Sequence, residues 1–71
     1  MKDYIRKKYL KIIIARNSVK EDLGSNYPHV SVNRRIDLIN EKLPFTISRL
    51  VYYRAIRREG EILKEAKYFK E

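Results

Sequence analysis

The architecture of this chain follows from residues 39–62, INEKLPFTISRLVYYRAIRREGEI. Apolar residues recur there every three or four positions, which is the spacing of one face of a helix. Pro44 interrupts the pattern, because the residue before a proline avoids the helical conformation, and Thr46 can cap the helix that follows. These residues therefore predict two short helices joined by a tight turn, with the second helix running at least to Glu59.

The first of these helices begins just upstream of the quoted segment. Val32, Ile36, Ile39 and Leu43 are spaced by four, three and four positions, so they share one helical face. Either Ser31 or the asparagine two residues later can cap its start. The helix-turn-helix unit is therefore expected over about residues 33–59.

The N-terminal segment also has a helical repeat of apolar residues, over residues 3–23. Asp3 suits the first turn of a helix and Gly24 suits a helix end. The β-branched run Ile12–Ile14 opposes this interpretation, since such residues favour strands. We therefore expect a helix over residues 3–16 and a loop over about residues 24–30.

The C-terminal tail, residues 60–71, allows two interpretations. Its Glu, Lys and Ala residues favour a continued helix. Alternatively, Glu61–Leu63 and Lys67–Phe69 could pair as a short β-hairpin. The tail contains no strong turn dipeptide, which slightly favours the helix.

Composition restricts the class of protein. The chain has 71 residues, 17 basic and 9 acidic side chains, a formal charge of +8 and no cysteine. This length predicts a single domain, and the missing cysteines exclude disulfides and thiolate–zinc sites. No apolar run approaches the ~20 residues that span a bilayer, and no signal peptide is recognisable, so a cytoplasmic location is expected.

The positive charge is concentrated at both ends of the chain. Residues 1–20 carry seven basic side chains and residues 46–71 carry another seven, whereas the middle is nearly neutral. Such a field favours an anionic partner, with nucleic acid as the first candidate. The two ends would form one basic surface if they met in space.

Catalytic and metal-binding patterns are missing from the sequence. There is no glycine-rich phosphate loop, catalytic triad pattern or paired carboxylate site. His29 has no Cys, His or acidic residue at ligand spacing. The sequence therefore predicts neither an enzyme nor a cofactor or metal site.

Two short helices with a basic second helix form the layout of a helix-turn-helix unit, whose second helix reads the major groove. Exposed polar residues of that helix are the candidates for base contacts, and hydroxyls at its N-terminus suit phosphate. The candidate base contacts are Arg49, Tyr52, Tyr53 and Arg57, and the candidate phosphate contacts are Arg34, Arg35, Thr46 and Ser48.

Residues 48–62, from Ser-Arg through Tyr-Arg-Ala-Ile-Arg to Gly and Ile, resemble the recognition segment of helix-turn-helix and winged-helix regulators, including excisionase-like and repressor-like proteins. The likeness extends over about residues 36–62, although the usual turn glycine is replaced by Leu43-Pro44-Phe45. It implies a three-helix domain that binds duplex DNA and regulates transcription. A wing would begin at Gly60 and bring Lys64 and Lys67 to the DNA.

Three other interpretations remain open. In a ribbon-helix-helix dimer, residues 29–34 would form the strand that enters the groove. The apolar residues on two sides of the third helix would also suit a modulator that binds another protein. Tyrosines interleaved with basic residues would suit RNA. Because one such module buries a small interface, a homodimer or several copies are expected on one DNA site.

Overall fold

A computed structural model describes the backbone of residues 2–69 and the side chains of residues 2–64. This part of the chain contains no strand and consists of helices, so the expectation of a mainly α protein is confirmed. Four α-helices are present instead of the three expected. They are α1 (Asp3–Leu23), α2 (Val32–Lys42), α3 (Arg49–Arg57) and α4 (Glu59–Phe69), with a 3₁₀ helix at Gly24–His29 between α1 and α2.

Helix α1 continues seven residues beyond its predicted end at residue 16. Ile12 and Ile13 are fully buried, so the apolar contacts that they make outweigh the reluctance of β-branched residues to form a helix. The helix ends at Gly24, which has a φ of 57° and donates its N–H to the carbonyl of Lys20. The predicted loop after it is a 3₁₀ helix.

The core forms around α1, which packs against α2, α3 and α4. Each of these helices contributes buried apolar side chains to it, as does the α2–α3 turn. The buried set is Ile12, Ile13, Ala15, Val19, Ile36, Ile39, Ile47, Tyr52, Ala55 and Ile62. Leu50, although apolar, is 60% exposed.

The turn between α2 and α3 is held by the side chain of Asn40. Its Oδ1 accepts the N–H of Ile47 at 2.8 Å, and its Nδ2 donates to the carbonyl of the same residue at 3.3 Å. Ile47 lies between the two helices and its side chain is buried in the core. The two bonds therefore satisfy a backbone N–H and a carbonyl that have no partner within a helix. Ser48 caps α3 by accepting the N–H of Val51, so the expected cap at Thr46 is wrong.

The predicted continuous third helix is interrupted at Arg58. Its backbone (φ −99°, ψ 11°) departs from helical geometry, and its N–H is shared by the carbonyls of Arg54 and Ala55. Helix α4 begins at the next residue, so α3 ends at Arg57, two residues before the expected end of the helix-turn-helix unit at residue 59. Gly60, where a wing was expected to begin, lies inside α4.

Two β alternatives do not match the described residues. Residues 59–69 form α4, and therefore no wing hairpin is present there. Ile62 is fully buried, which attaches α4 to the core and gives the helix a tertiary reason to form. The strand required by a ribbon-helix-helix dimer is also missing, because residues 29–34 span the end of the 3₁₀ helix and the first turn of α2.

Tyr52 belongs to this core and is 5% exposed. Burial raises the pKa of its hydroxyl, as do the hydrogen bond and charge of Tyr27, while Arg35 acts in the opposite direction. The three side chains therefore form a small polar group that joins the 3₁₀ helix, α2 and α3.

Tyr52→Phe is expected to weaken the loss of stability above pH 10. The folded protein keeps the Tyr52 proton at a pH where the unfolded chain has lost it, so the free energy of unfolding falls as pH rises past 10.0, the ordinary pKa of tyrosine. Urea unfolding of both proteins at pH 8 and pH 10.5 measures the difference. An identical decline in wild type and variant would contradict the assignment.

Candidate nucleic-acid interface

Helix α3 presents a basic, aromatic face to solvent. At 100° per residue its exposed side chains fall within roughly 140° of the helix circumference, and Tyr52 and Ala55 anchor the opposite side in the core. This exposed face of α3 consists of Arg49, Leu50, Tyr53, Arg54 and Arg57. The Arg49 guanidinium lies 5.8 Å from the Tyr53 ring centroid.

The arginines of the chain differ in their ion pairs. Arg6 pairs with Asp3 at 3.0 Å, Arg16 pairs with Glu59, and both guanidinium groups are largely buried. By contrast, the three arginines on the exposed face of α3 have no ion pair among the side chains that the structure describes. They are therefore available to an anionic partner without the loss of an internal ion pair.

Two of the predicted DNA contacts have contacts within the fold. Tyr52 is buried and holds α3 on the core. Arg35 is partly buried and stacks on the ring of Tyr27, with 4.4 Å between the guanidinium carbon and the ring centroid. Both residues therefore have a structural role, and their contact with DNA stays a prediction.

The remaining predicted contacts occupy separate places. Arg34 is exposed in the first turn of α2, and Thr46 and Ser48 are exposed immediately before α3. The Ser48 hydroxyl already accepts a backbone N–H. Lys64 is exposed on α4 instead of on a wing, and the side chain of Lys67 lies outside the described residues.

A basic cleft lies between the start of α1 and the end of α3. Its volume is about 480 Å³, and its lining combines four cationic side chains with an apolar and a phenolic one. The lining residues are Lys2, Ile5, Tyr9, Arg54, Arg57 and Arg58. The two basic ends of the chain therefore meet here, a possibility that the charge distribution left open.

Of the six cleft residues, the predicted contacts include Arg57 and leave out Lys2, Ile5, Tyr9, Arg54 and Arg58. Their spacing contains a partial signal, because residues 2, 5 and 9 share a face of one helix and residues 54, 57 and 58 share a face of another. Nothing in the sequence indicates that the two faces oppose each other, since they are some fifty positions apart.

A second groove follows the other side of α1, where the α2–α3 turn approaches it. It has a volume of about 510 Å³ and is mainly apolar, with Ile14, Leu43 and Pro44 in its lining. Lys42, at its rim, is paired with Asp22 at 2.8 Å. This groove therefore offers less free positive charge than the basic cleft.

Two further features concern other kinds of site. Within residues 2–64, no three His, Cys, Asp or Glu side chains come together as a metal site would require. No helix in the described part of the chain combines the length and apolar character needed to cross a bilayer.

Comparisons with known proteins provide no relative from which to transfer a function. The chain matches no family model, no curated protein and no solved structure.

Proposed function

We propose that this protein binds duplex DNA without catalysing a reaction, as a small transcriptional regulator or accessory factor. The observation that carries this proposal is the exposed face of α3, where Arg49, Arg54 and Arg57 surround Tyr53 and form no ion pair with a described side chain. Arginine recognises both phosphate oxygens and the guanine edge through paired N–H donors. A helix has a width that the major groove admits.

The succession of α2, turn and α3 supports a helix-turn-helix arrangement for this binding. In that arrangement α3 enters the major groove and α2 lies across the backbone. Arg34 at the start of α2 then faces phosphate, as do Thr46 and Ser48 before α3. Arg49 and Tyr53 contact bases, and Arg57 contacts a base or the adjacent backbone.

The positive electrostatic field of the protein also supports its association with DNA. A formal charge of +8 on 71 residues attracts a polyanion and releases its counterions on binding. Because a single small module buries a limited interface, we expect two copies on one DNA site. Sedimentation of the protein with a short duplex measures this stoichiometry.

Arg49→Gln combined with Arg57→Gln is expected to weaken duplex binding about tenfold at constant salt, since each exposed charged contact is worth about 0.2–1 kcal/mol after solvent screening and 1.4 kcal/mol is about tenfold. The dependence of log K on log salt should become shallower by no more than about 1, because Arg49 contacts a base and Arg57 contacts a base or the adjacent backbone. Titration onto a labelled random duplex at two salt concentrations measures both quantities.

The matched control is Lys7→Gln combined with Lys11→Gln, which removes the same charge from exposed positions on α1. It should weaken binding less than the α3 variant does. Equal weakening by both variants would contradict a specific role for α3. If the wild-type protein fails to bind duplex at low salt, the proposed function is wrong.

A protein partner is the second candidate, and the observation that favours it is Leu50. This leucine is 60% exposed beside the half-exposed Tyr53, and tyrosine is enriched among the residues that dominate binding at protein interfaces. Leu50→Ala should leave duplex affinity nearly unchanged but abolish capture of such a partner. Single-stranded RNA is the third ligand for the same titration, and tighter RNA binding would favour base stacking on Tyr53.

A further inference from the structure

The basic cleft between α1 and α3 concentrates positive charge that the fold does not use. None of its four cationic side chains forms an ion pair among the described side chains, and no carboxylate belongs to its described lining. Lys2, Arg54, Arg57 and Arg58 are all exposed. Like charges gathered in one cleft repel each other, and a bound anion would relieve that repulsion.

The volume of the cleft and the donors that line it limit the kind of anion that it can hold. Its volume of about 480 Å³ lies in the range of small-ligand pockets, roughly 300–1,000 Å³. That space exceeds a monatomic ion and suits a phosphate with an attached group. Three arginines provide planar, paired donors that match phosphate oxygens, and the Tyr9 phenol adds a neutral O–H donor.

The positions of these residues explain why the cleft is part of the fold. Lys2 immediately precedes α1, and Arg58 is the residue at which α3 ends before α4 begins. Packing of α1 against both α3 and α4 brings these two helix boundaries together. The cleft therefore depends on tertiary structure instead of on a local sequence motif.

We propose that the cleft is a phosphate-binding site and that it holds a backbone phosphate beside the groove contacts of α3. The proposal that phosphate binds is argued from the cleft alone. The assignment of that phosphate to a nucleic-acid backbone rests on the proposed function. Arg54 and Arg57 belong to both the cleft and the exposed face of α3, so the two surfaces are continuous.

The first test uses inorganic pyrophosphate as a probe and isothermal titration calorimetry as the measurement. Wild-type protein should bind it saturably, and Lys2→Gln combined with Arg58→Gln should weaken that binding about tenfold through lost charged hydrogen bonds. Neither residue lies on the exposed face of α3. Lys7→Gln combined with Lys11→Gln is the matched control and should change affinity less than about threefold. Circular dichroism confirms that every variant is folded.

The second test asks whether the phosphate belongs to a backbone. Pyrophosphate should compete with a random duplex, and the Lys2/Arg58 variant should reduce the salt dependence of duplex binding by 1 to 2, by about one per lost phosphate contact. If pyrophosphate binds without competing and the salt dependence is unchanged, the backbone assignment is overturned and the cleft is a site for small phosphate compounds.

Other outcomes distinguish failure of the cleft from failure of the proposed function. If pyrophosphate does not saturate wild-type protein, or if both double variants weaken it equally, the cleft proposal is overturned even where duplex binding persists. If no duplex binds but pyrophosphate binding depends on Lys2 and Arg58, the proposed function fails and the phosphate site stands. Tighter binding to vesicles containing an anionic phospholipid than to duplex would reassign the phosphate to a lipid headgroup.

Discussion

Ile62→Ala is expected to lower the free energy of unfolding by about 2–5 kcal/mol, the cost of removing a large aliphatic side chain from a packed core. Ile62 is fully buried on α4 and attaches that helix to the rest of the protein. A 71-residue domain has a total stability of only roughly 5–10 kcal/mol. The variant should therefore lose much of its thermal stability, which urea denaturation and a thermal melt both measure.

The neighbouring Leu63→Ala is the matched control for this prediction. Leu63 lies on the same turn of α4 but is 44% exposed, so its replacement should cost about 1 kcal/mol or less. The contrast tests the position of the tail, because a helix detached from the core would make the two variants equivalent. Equal small losses would show that α4 contributes no buried contact.

Glu59→Gln is expected to destabilise the protein by about 1–3 kcal/mol. Glu59 pairs with Arg16, whose side chain is 12% exposed, and removal of the carboxylate leaves a mostly buried guanidinium without its counter-charge. The Arg16 Nε also lacks a partner among the described groups. The loss should be smaller than for a fully buried pair because the glutamate is 30% exposed.

Glu61→Gln separates this effect from the general benefit of acids near a helix start. Both glutamates lie in the first turn of α4, so both interact with the helix dipole, but Glu61 is exposed and forms no ion pair in the described residues. Its replacement should change the free energy of unfolding by under about 1 kcal/mol. Equal losses in urea denaturation would remove the special role of the Arg16–Glu59 pair.

Helical periodicity was predictable because it is a local property of the chain. The four-three-four spacing from Val32 to Leu43 identified α2, and Ser31 was one of two caps that its sequence allowed. The break near Pro44 was equally accessible, since proline restricts the residue before it. The helical alternative for the tail also followed from propensity, although propensity alone did not exclude a hairpin.

The predictions that failed depended on how the helices pack against one another. The β-branched triplet at residues 12–14 discouraged a long α1, but burial of Ile12 and Ile13 decided the matter. Tyr52 and Tyr53 are adjacent and identical in type, yet one is buried and the other exposed. Their roles depend on which side of α3 meets α1 and α2, and the apolar residues on both sides of that helix left this orientation ambiguous.

The arginines predicted for the candidate site likewise differ in whether they contact the fold or face solvent. Arg35 and Arg49 are chemically identical, but Arg35 stacks on Tyr27 within the fold and Arg49 faces outward over Tyr53. Asn40 was likewise inconspicuous until the turn brought the Ile47 backbone to its carboxamide. A side chain's available partners depend on its neighbours in three dimensions, and helical spacing alone does not specify these neighbours.

The sequence by itself determined a small, basic, cysteine-free and mainly helical protein, because charge, composition and the 3.6-residue repeat are properties of the chain read in order. Only the tertiary structure decided which arginines are internal, where α3 ends, and that Lys2 and Arg58 line one cleft. The physical reason is that α1 buries its apolar residues against three other helices at once. That packing decides which basic side chains form contacts within the fold and which remain exposed.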